Sequence, residues 1–406
     1  MQGRATIRRS VMSSDLQIPA SFPKQSPEVS VVLPCLNEEV TLAVCIEQIS
    51  KTLQEHRIDG EIVVSDNGST DRSTEIAENL GARVVRVEAR GYGNALMGGI
   101  KAAHGRYIVM GDADNSYDFT QIPQFLEKLR EGYELVMGNR FRGGIKPGAM
   151  PALHKYLGNP FLTATGRLFF RSPCRDFHCG LRGLTRSAFD RMDLRTTGME
   201  FASEMVVKAS LFHMRTCEIP TTLSPHGRPG KSHLRSWHDG FRNLRFLLLY
   251  SPRWLFLYSG LALMLAGSAM TVWLLPGPRT VGGSVLDIHT LLYAALAILI
   301  GFQAMLFGVF TKVFAVTEGL LPEDPRFNLF LRMFNLEKGL LVGGFLLVVG
   351  LTTAGYSFYL WNRAQFGPMN PVILVRLVDA AMLAITLGCQ IILSSFFLSI
   401  LALSRK

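Results

Sequence analysis

Short apolar runs rich in β-branched residues alternate, over the first 150 residues, with stretches whose apolar positions recur at helical spacing. The stretches predict helices, and the runs predict strands at residues 29–33, 61–65, 83–87, 107–110 and 134–138. Strands separated by helices of this length form a mainly parallel sheet with helices on both faces. The first part of the chain is therefore predicted to be an α/β domain.

The pattern changes beyond residue 250, where charge almost disappears from four long windows. These windows predict transmembrane helices at about residues 254–276, 288–311, 339–361 and 380–403. Each is long enough to cross a hydrocarbon core of roughly 30 Å at about 1.5 Å per residue, and a soluble helix of that length would keep a polar stripe. Because the number of spans is even, we expect both termini on the same side of the membrane.

Charge adds an orientation to this picture. The net charge is +10, although charged residues make up only 18% of the chain and the mean hydropathy is +0.22. This balance suits a membrane-surface protein that handles anionic substrates, and no nucleic-acid partner is expected. Lysine and arginine are densest before the first window, between the second and third, and after the fourth. The positive-inside rule therefore predicts a multi-pass protein of the plasma or inner membrane, with the α/β domain and both termini in the cytosol.

Two further segments have distinct patterns. Residues 1–27 are polar and lack the apolar core of a signal peptide, which predicts a flexible tail. Residues 236–252 predict an interfacial helix leading into a membrane domain at 253–406, because one helical face is apolar and its surroundings are basic. The apolar positions of that face are Trp237, Phe241, Leu244 and Leu248.

Polar and charged residues follow the predicted strands. The carboxyl ends of parallel strands meet at one edge of a sheet, so these side chains should converge in a crevice typical of nucleotide binding. Each residue alone could instead close a turn or cap a helix, but their alignment along one edge favours a functional site. The converging residues are Glu38, Asp66, Asp112, Asp114 and Arg140.

Asp112 and Asp114 lie one residue apart, directly after an apolar run. Carboxylates held this close repel each other unless a cation lies between them, which predicts a Mg²⁺ or Mn²⁺ ion bound together with a nucleotide diphosphate. No Gly-x-Gly-x-x-Gly follows the first strand, and no Gly-Lys-Ser/Thr phosphate loop is present. A dinucleotide dehydrogenase and a P-loop NTPase are therefore disfavoured.

Three motifs in order, residues 31–38 (VVLPCLNE), 63–71 (VVSDNGSTD) and 112–114 (DAD), resemble family 2 glycosyltransferases with a GT-A fold. The likeness is strongest to the polyprenyl-phosphate sugar transferases, such as dolichyl-phosphate mannose and glucose synthases. It implies a GT-A domain at residues 28–235. The implied nucleotide-sugar ligands are Pro34, Leu36, Glu38, Asp66, Asp112, Ala113, Asp114 and Arg140, and the metal would be held by the two aspartates of the third motif.

Two loops extend the resemblance. Residues 226–234 (HGRPGKSHL) resemble a mobile loop whose Arg228 and Ser232 would contact the diphosphate, so that Arg228 joins Asp112, Asp114 and Arg140 as catalytic residues. The lysine usual in this loop is replaced by His233, and either Lys231 or His233 could supply the cation. Residues 175–182 (RDFHCGLR) resemble an acceptor-side loop. The residues expected on the acceptor side are Arg182, Glu204 and Lys155, although Arg182 and Glu204 could equally form a structural ion pair.

The resemblance implies an inverting, membrane-bound enzyme that moves a hexose from a UDP- or GDP-sugar to undecaprenyl or dolichyl phosphate on the cytosolic face. A processive polysaccharide synthase is an alternative, but of its Gln-x-x-Arg-Trp motif only Arg253 and Trp254 match. A non-catalytic membrane scaffold with a degenerate nucleotide-sugar domain is a second alternative, and the intact Asp112 and Asp114 argue against it. Assembly into a homo-oligomer stays open.

Overall fold

The computed structural model describes residues 26–227, 236–318, 321–322, 325, 327, 335–368 and 370–401. The chain divides into two compact units. The first, here the sheet unit, comprises Met1–Pro160, Cys174–Met205 and Met214–His233. The second, here the membrane unit, comprises Phe161–Pro173, Val206–His213 and Leu234–Lys406.

The sheet unit is built on seven strands in the order β3-β2-β1-β4-β6-β5-β7. Strand β6 runs antiparallel to both β4 and β5, whereas the other pairs are parallel. The carboxyl ends of β4 and β5 therefore share one edge, but β6 separates them by two strand spacings, about 10 Å. The strands are β1 (Val29–Cys35), β2 (Gly60–Asp66), β3 (Arg83–Arg86), β4 (Tyr107–Met110), β5 (Leu135–Asn139), β6 (Arg182–Thr185) and β7 (Thr216–Pro220).

Helices connect these strands and cover the sheet. Apolar side chains at helical spacing, among them Leu42, Ile46, Phe125 and Leu129, are buried in one core with residues of the strands. The α-helices up to residue 211 are α1 (Leu42–Glu55), α2 (Ser73–Asn79), α3 (Tyr92–Ala102), α4 (Ile122–Arg130), α5 (Arg140–Gly143), α6 (Asn159–Phe170), α7 (Arg186–Met192) and α8 (Phe201–Leu211). The five predicted strands lie where the sequence places them, and β6 and β7 were not predicted.

The described part of the membrane unit has four helices long and apolar enough to cross a membrane, Arg253–Leu274, Ile288–Thr317, Leu336–Arg363 and Ile373–Leu401. The predicted fold class, an α/β domain followed by four transmembrane helices, is confirmed. The elements of this region are α9 (Ser236–Leu249), a π-helical turn (Arg253–Tyr258), α10 (Ser259–Leu274), β8 (Arg279–Val281), β9 (Ser284–Leu286), α11 (Ile288–Thr317), α12 (Leu336–Arg363) and α13 (Pro371–Leu401).

Glycines bring the membrane helices together in pairs. A Cβ added at Gly301 of α11 would lie 2.5 Å from the carbonyl oxygen of Gly260 in α10, and one at Gly343 of α12 would lie 2.8 Å from that of Gly388 in α13. Small residues allow such close backbone approach in membranes. A polar contact joins α11 to α13, in which Gln390 Nε2 donates to Gln303 Oε1 at 3.0 Å. Arg376 Nη2 of α13 also donates, at 2.5 Å, to Oδ1 of Asp287, the residue before α11.

Candidate active site

The loops that follow β1 and β2 are tied together by hydrogen bonds. The backbone N–H of Asn37 donates to Ser69 Oγ at 3.0 Å, and that of Thr70 donates to Asn37 Oδ1 at 2.8 Å. The backbone N–H of Glu38 donates to Ser73 Oγ at 2.8 Å. Because these bonds hold both loops against each other at the carboxyl edge, the half-buried residues Pro34 and Leu36 lie on a fixed stretch of chain.

Glu38 and Asp66 are both buried at this edge. Glu38 Oε2 accepts a hydrogen bond from Thr41 Oγ1 at 3.0 Å. The two carboxylate oxygens of Asp66 accept from the backbone N–H groups of Ser69, at 2.9 Å, and Gly68, at 3.2 Å. These bonds close the turn after β2, which is the structural alternative that the sequence left open for Asp66. A contact of Asp66 with the base or ribose stays a prediction.

Asp112 and Asp114 follow β4 directly and are partly exposed, on either side of the buried Ala113. Asp112 Oδ1 accepts a hydrogen bond from Tyr92 Oη at 2.9 Å. Asp114 Oδ1 accepts from the backbone N–H of Ser116 at 3.1 Å. Both acidic side chains therefore lie at the carboxyl edge of the sheet, and each is oriented by a hydrogen bond.

Residues 224–227, which come late in the sequence of the sheet unit, run alongside the segment that contains these aspartates. The backbone N–H of Ser224 donates to the Ser116 carbonyl at 2.9 Å, and that of Gly227 donates to the Asp114 carbonyl at 3.0 Å. The predicted diphosphate ligands Arg228 and Ser232, and the alternatives Lys231 and His233, lie outside the described residues. The last described residue before that loop is Gly227, which is hydrogen-bonded to the backbone of Asp114.

Arg140, the first residue of α5, is only 7% exposed and faces Asp176. Its Nε and Nη2 donate to the two carboxylate oxygens of Asp176 at 2.8 and 2.7 Å, and its backbone N–H donates to the same carboxylate at 3.0 Å. Burial alone would raise the pKa of Asp176. The charge and hydrogen bonds of Arg140 have the larger, opposite effect, so the pKa of Asp176 lies below its ordinary value. A diphosphate contact of Arg140 stays a prediction, and the structure adds Asp176 as its partner.

The three residues predicted for the acceptor side contact other groups of the protein. The fully buried guanidinium of Arg182 donates to three backbone carbonyls, those of Phe177, Cys179 and Ala202. The fully buried Glu204 accepts from the Thr196 hydroxyl at 2.6 Å and from two backbone N–H groups. Lys155 lies with its ammonium 5.4 Å from the ring centre of Tyr156. Contacts of these three residues with an acceptor stay predictions.

Two residues at this edge were not singled out from the sequence. Tyr92 is the first residue of α3, the helix after β3, and its polar side chain beyond a strand end was the available signal. Asp176 lies six residues before Arg182 in the loop predicted for the acceptor side, and its acidic side chain in a largely apolar, basic stretch was the available signal. The same loop carries His178, whose pKa burial lowers to about 4, so that its imidazole is neutral near pH 7.

Comparison with known proteins identifies the family. Residues 30–193 match the family model described as glycosyl transferase family 2, and residues 309–402 match the family 2 glycosyltransferase C-terminal transmembrane region. A low-salt glycan biosynthesis hexosyltransferase, Agl6 of Haloferax volcanii, is 39% identical over 375 residues, 92% of this chain and 89% of its own length. The chain is a family 2 glycosyltransferase. The resemblance inferred from its motifs is confirmed.

More distant relatives of this glycosyltransferase cover less of it. A dolichyl-phosphate hexose transferase of Haloferax volcanii is 28% identical over 48% of the chain and 81% of its own length. A dolichol-phosphate mannosyltransferase of Pyrococcus furiosus is 27% identical over 51% of the chain and 59% of its own length. The solved glucosyl-3-phosphoglycerate synthase of Mycobacterium tuberculosis aligns with 55% of the chain and 78% of its own length, at 23% identity and a TM-score of 0.43.

The donor set at Asp112 and Asp114 fits a divalent ion shared with substrate. Among the residues with described positions, no group of three or more His, Cys, Asp and Glu side chains is arranged to hold a metal ion. Mg²⁺ is commonly held by one or two carboxylates together with substrate phosphates and water. The two aspartates of the glycosyltransferase therefore suit an ion that arrives with a nucleotide diphosphate.

Proposed function

We propose that this glycosyltransferase moves a hexose from a UDP- or GDP-linked donor to a polyprenyl phosphate, either undecaprenyl or dolichyl phosphate. The observation that carries the proposal is the presence of four membrane-spanning helices on the same chain as the family 2 domain. A nucleotide sugar is water-soluble, so the donor alone gives no reason for membrane helices. A lipid acceptor, which lies in the bilayer, does give one. Two relatives carry names that include dolichyl-phosphate hexose transfer and dolichol-phosphate mannosyl transfer, which supports this acceptor class.

In the proposed reaction, an oxygen of the lipid phosphate attacks the anomeric carbon of the hexose. The bond from that carbon to the diphosphate breaks, and the electron pair leaves with the nucleoside diphosphate. Attack opposite the leaving group inverts the anomeric centre. Because a phosphate monoester is already anionic near pH 7, the acceptor needs no general base, and positioning and charge stabilisation can carry the catalysis.

The residues act by orienting and neutralising the leaving group. Asp112 and Asp114 would hold a Mg²⁺ or Mn²⁺ ion, which supplies positive charge for the departing diphosphate. Arg228 and Ser232 would add a cation and a donor from the loop that follows Gly227. Arg140 would add a second cation at the edge, and the carboxylate of Asp176 holds its guanidinium in place.

The reaction is proposed to occur at the cytosolic membrane surface. Helix α9 exposes Trp237 by 81% and Phe241 by 66%, one helical turn apart. Exposed aromatic residues on one face of a helix with Arg242 and Arg245 suit the interface between lipid and water. The distribution of basic residues supports a cytosolic sheet unit and cytosolic termini.

Product analysis on the purified full-length chain tests the proposal. With polyprenyl phosphate, Mn²⁺ and a panel of UDP- and GDP-hexoses, we expect one donor to yield a polyprenyl-phosphate monosaccharide. Asp114→Asn should abolish the product. Asp118→Asn is the matched control, because Asp118 caps a nearby 3₁₀ turn by accepting from Thr120, and it should keep activity near the parent's. Absence of product from every donor would refute the proposal.

A further inference from the structure

The start of helix α3 is fixed by contacts that only glycine allows. Gly91 has a φ of +133°, and a Cβ on Gly91 or Gly93 would collide with the carbonyl oxygens of Thr197 and Thr196, respectively. The backbone N–H groups of Gly93 and Asn94 both donate to the Thr197 carbonyl, at 3.0 and 3.3 Å. Tyr92, which lies between the two glycines, is therefore placed by its backbone.

The side chain of Tyr92 reaches the first aspartate of the Asp-Ala-Asp motif. Tyr92 Oη donates to Asp112 Oδ1 at 2.9 Å. On the other side, a Cβ added to Gly180 would lie 2.6 Å from Asp112 Oδ2, so this oxygen packs close to the backbone of the acceptor-side loop. Gly180 is itself held, since its N–H donates to Tyr117 Oη at 2.7 Å. The carboxylate of Asp112 thus lies between a hydroxyl donor and a fixed backbone.

This arrangement restricts a torsion that is otherwise broad. The χ2 angle of an aspartate has no sharp minima, so an unsupported carboxylate would lose rotational freedom when it binds an ion. A neutral hydroxyl can fix the carboxylate without adding a positive charge that would repel the ion. We propose that Tyr92 is a positioning residue that presets the Asp112 carboxylate for the metal and diphosphate. The inference rests on the proposed function, because that function supplies the ion and the diphosphate.

Binding of Mn²⁺ to the full-length protein in detergent tests the inference. Mn²⁺ is titrated in the presence of UDP and, separately, GDP, and free Mn²⁺ is read by electron paramagnetic resonance. Tyr92→Phe removes only the hydroxyl, so we expect Mn²⁺ to bind about tenfold more weakly, the loss typical of a hydrogen bond to a charged group. In turnover assays the KM for Mn²⁺ should rise by the same factor, with a smaller change in kcat.

The control is Tyr133→Phe, because Tyr133 precedes the amino end of β5 and so lies at the opposite edge of the sheet from the aspartates, with its ring 5.0 Å from the Arg215 guanidinium. It should bind Mn²⁺ like the parent. Affinity for the nucleotide without Mn²⁺ should be equal in all three proteins, which separates a misfolded variant from a mispositioned carboxylate. Parental Mn²⁺ affinity in Tyr92→Phe would overturn the inference and leave the proposed function intact. If the parent protein failed to bind Mn²⁺ in the presence of UDP and also in the presence of GDP, the proposed metal site would be overturned, and the inference with it.

Discussion

At the scale of single residues, the site depends on buried charges that are paired within the sheet unit. The pair of Arg140 and Asp176 is bidentate and almost fully buried, with side chains 8% and 0% exposed. Removing one partner of such a pair leaves the other charge uncompensated in a medium of low polarity. This pair therefore links the stability of the unit to the position of a cation predicted to act in the reaction.

Asp176→Asn should lower the free energy of unfolding of the sheet unit by about 3–5 kcal/mol. Asp193→Asn is the matched control, since the Asp193–Arg195 pair is exposed and an exposed pair contributes about 1 kcal/mol or less. Asp193 has a positive φ of 41°, which asparagine tolerates. Denaturant unfolding of both variants gives the comparison, and equal stability losses would contradict the structural role of the pair.

His178 gives the sheet unit a pH dependence. Burial lowers its pKa from 6.5 to about 4, against an opposing effect of Asp176 and with the help of Arg140 and Arg182. Between these pH values the unfolded chain binds a proton that the folded chain does not, so stability falls as pH drops from 6.5 to 4, by no more than about 3 kcal/mol.

Unfolding midpoints measured across that pH range test whether His178 causes the decline in stability. His178→Gln should flatten the decline, whereas His56→Gln, which replaces an exposed histidine, should preserve it. An unchanged pH profile in His178→Gln would show that other groups cause the decline.

At the scale of elements, the sequence predicted what depends on local pattern. Strands β1 to β5 were found because β-branched runs alternate with helical spacing, and the acidic residues were found because they follow such runs. Strand β6 was missed, since its four residues Arg182–Thr185 contain a charge and a glycine and show no alternation. Its insertion between β4 and β5 is a tertiary event, so the distance between Arg140 and the aspartates could not be anticipated.

The membrane helices were equally predictable in number, but their pairing was not. Hydropathy marks a span without saying which face meets a neighbour. Gly301 lies against the backbone of α10, whereas a Cβ at Gly344 would meet nothing within 4 Å.

Gly301→Ala should therefore destabilise the α10–α11 pair by about 1–3 kcal/mol through overpacking. Gly344→Ala should be neutral or slightly stabilising, because alanine favours helices. Thermal midpoints of the two variants in the same detergent provide the measurement. If Gly301→Ala were as stable as Gly344→Ala, the close packing of α10 and α11 would be disproved.

At the scale of the whole molecule, transfer at the cytosolic surface requires a defined orientation of the chain in the membrane. The hairpin of β8 and β9 connects the first two spans, so a cytosolic sheet unit requires that hairpin to be outside the cytosol. A membrane-impermeant maleimide should label Ser284→Cys on intact cells and should label Lys51→Cys only after the cells are opened. The reverse pattern would contradict the proposed orientation.

Discrimination between acceptors tests most directly whether the enzyme transfers a single hexose to a lipid phosphate. The purified chain is given a radiolabelled nucleotide hexose, Mn²⁺ and either polyprenyl phosphate or the same polyprenol without phosphate. We predict one hexose per lipid with the phosphate, none with the free alcohol, and none with either acceptor for Asp114→Asn. Label in the free alcohol, a lengthening sugar chain, or parental turnover by Asp114→Asn would contradict the account.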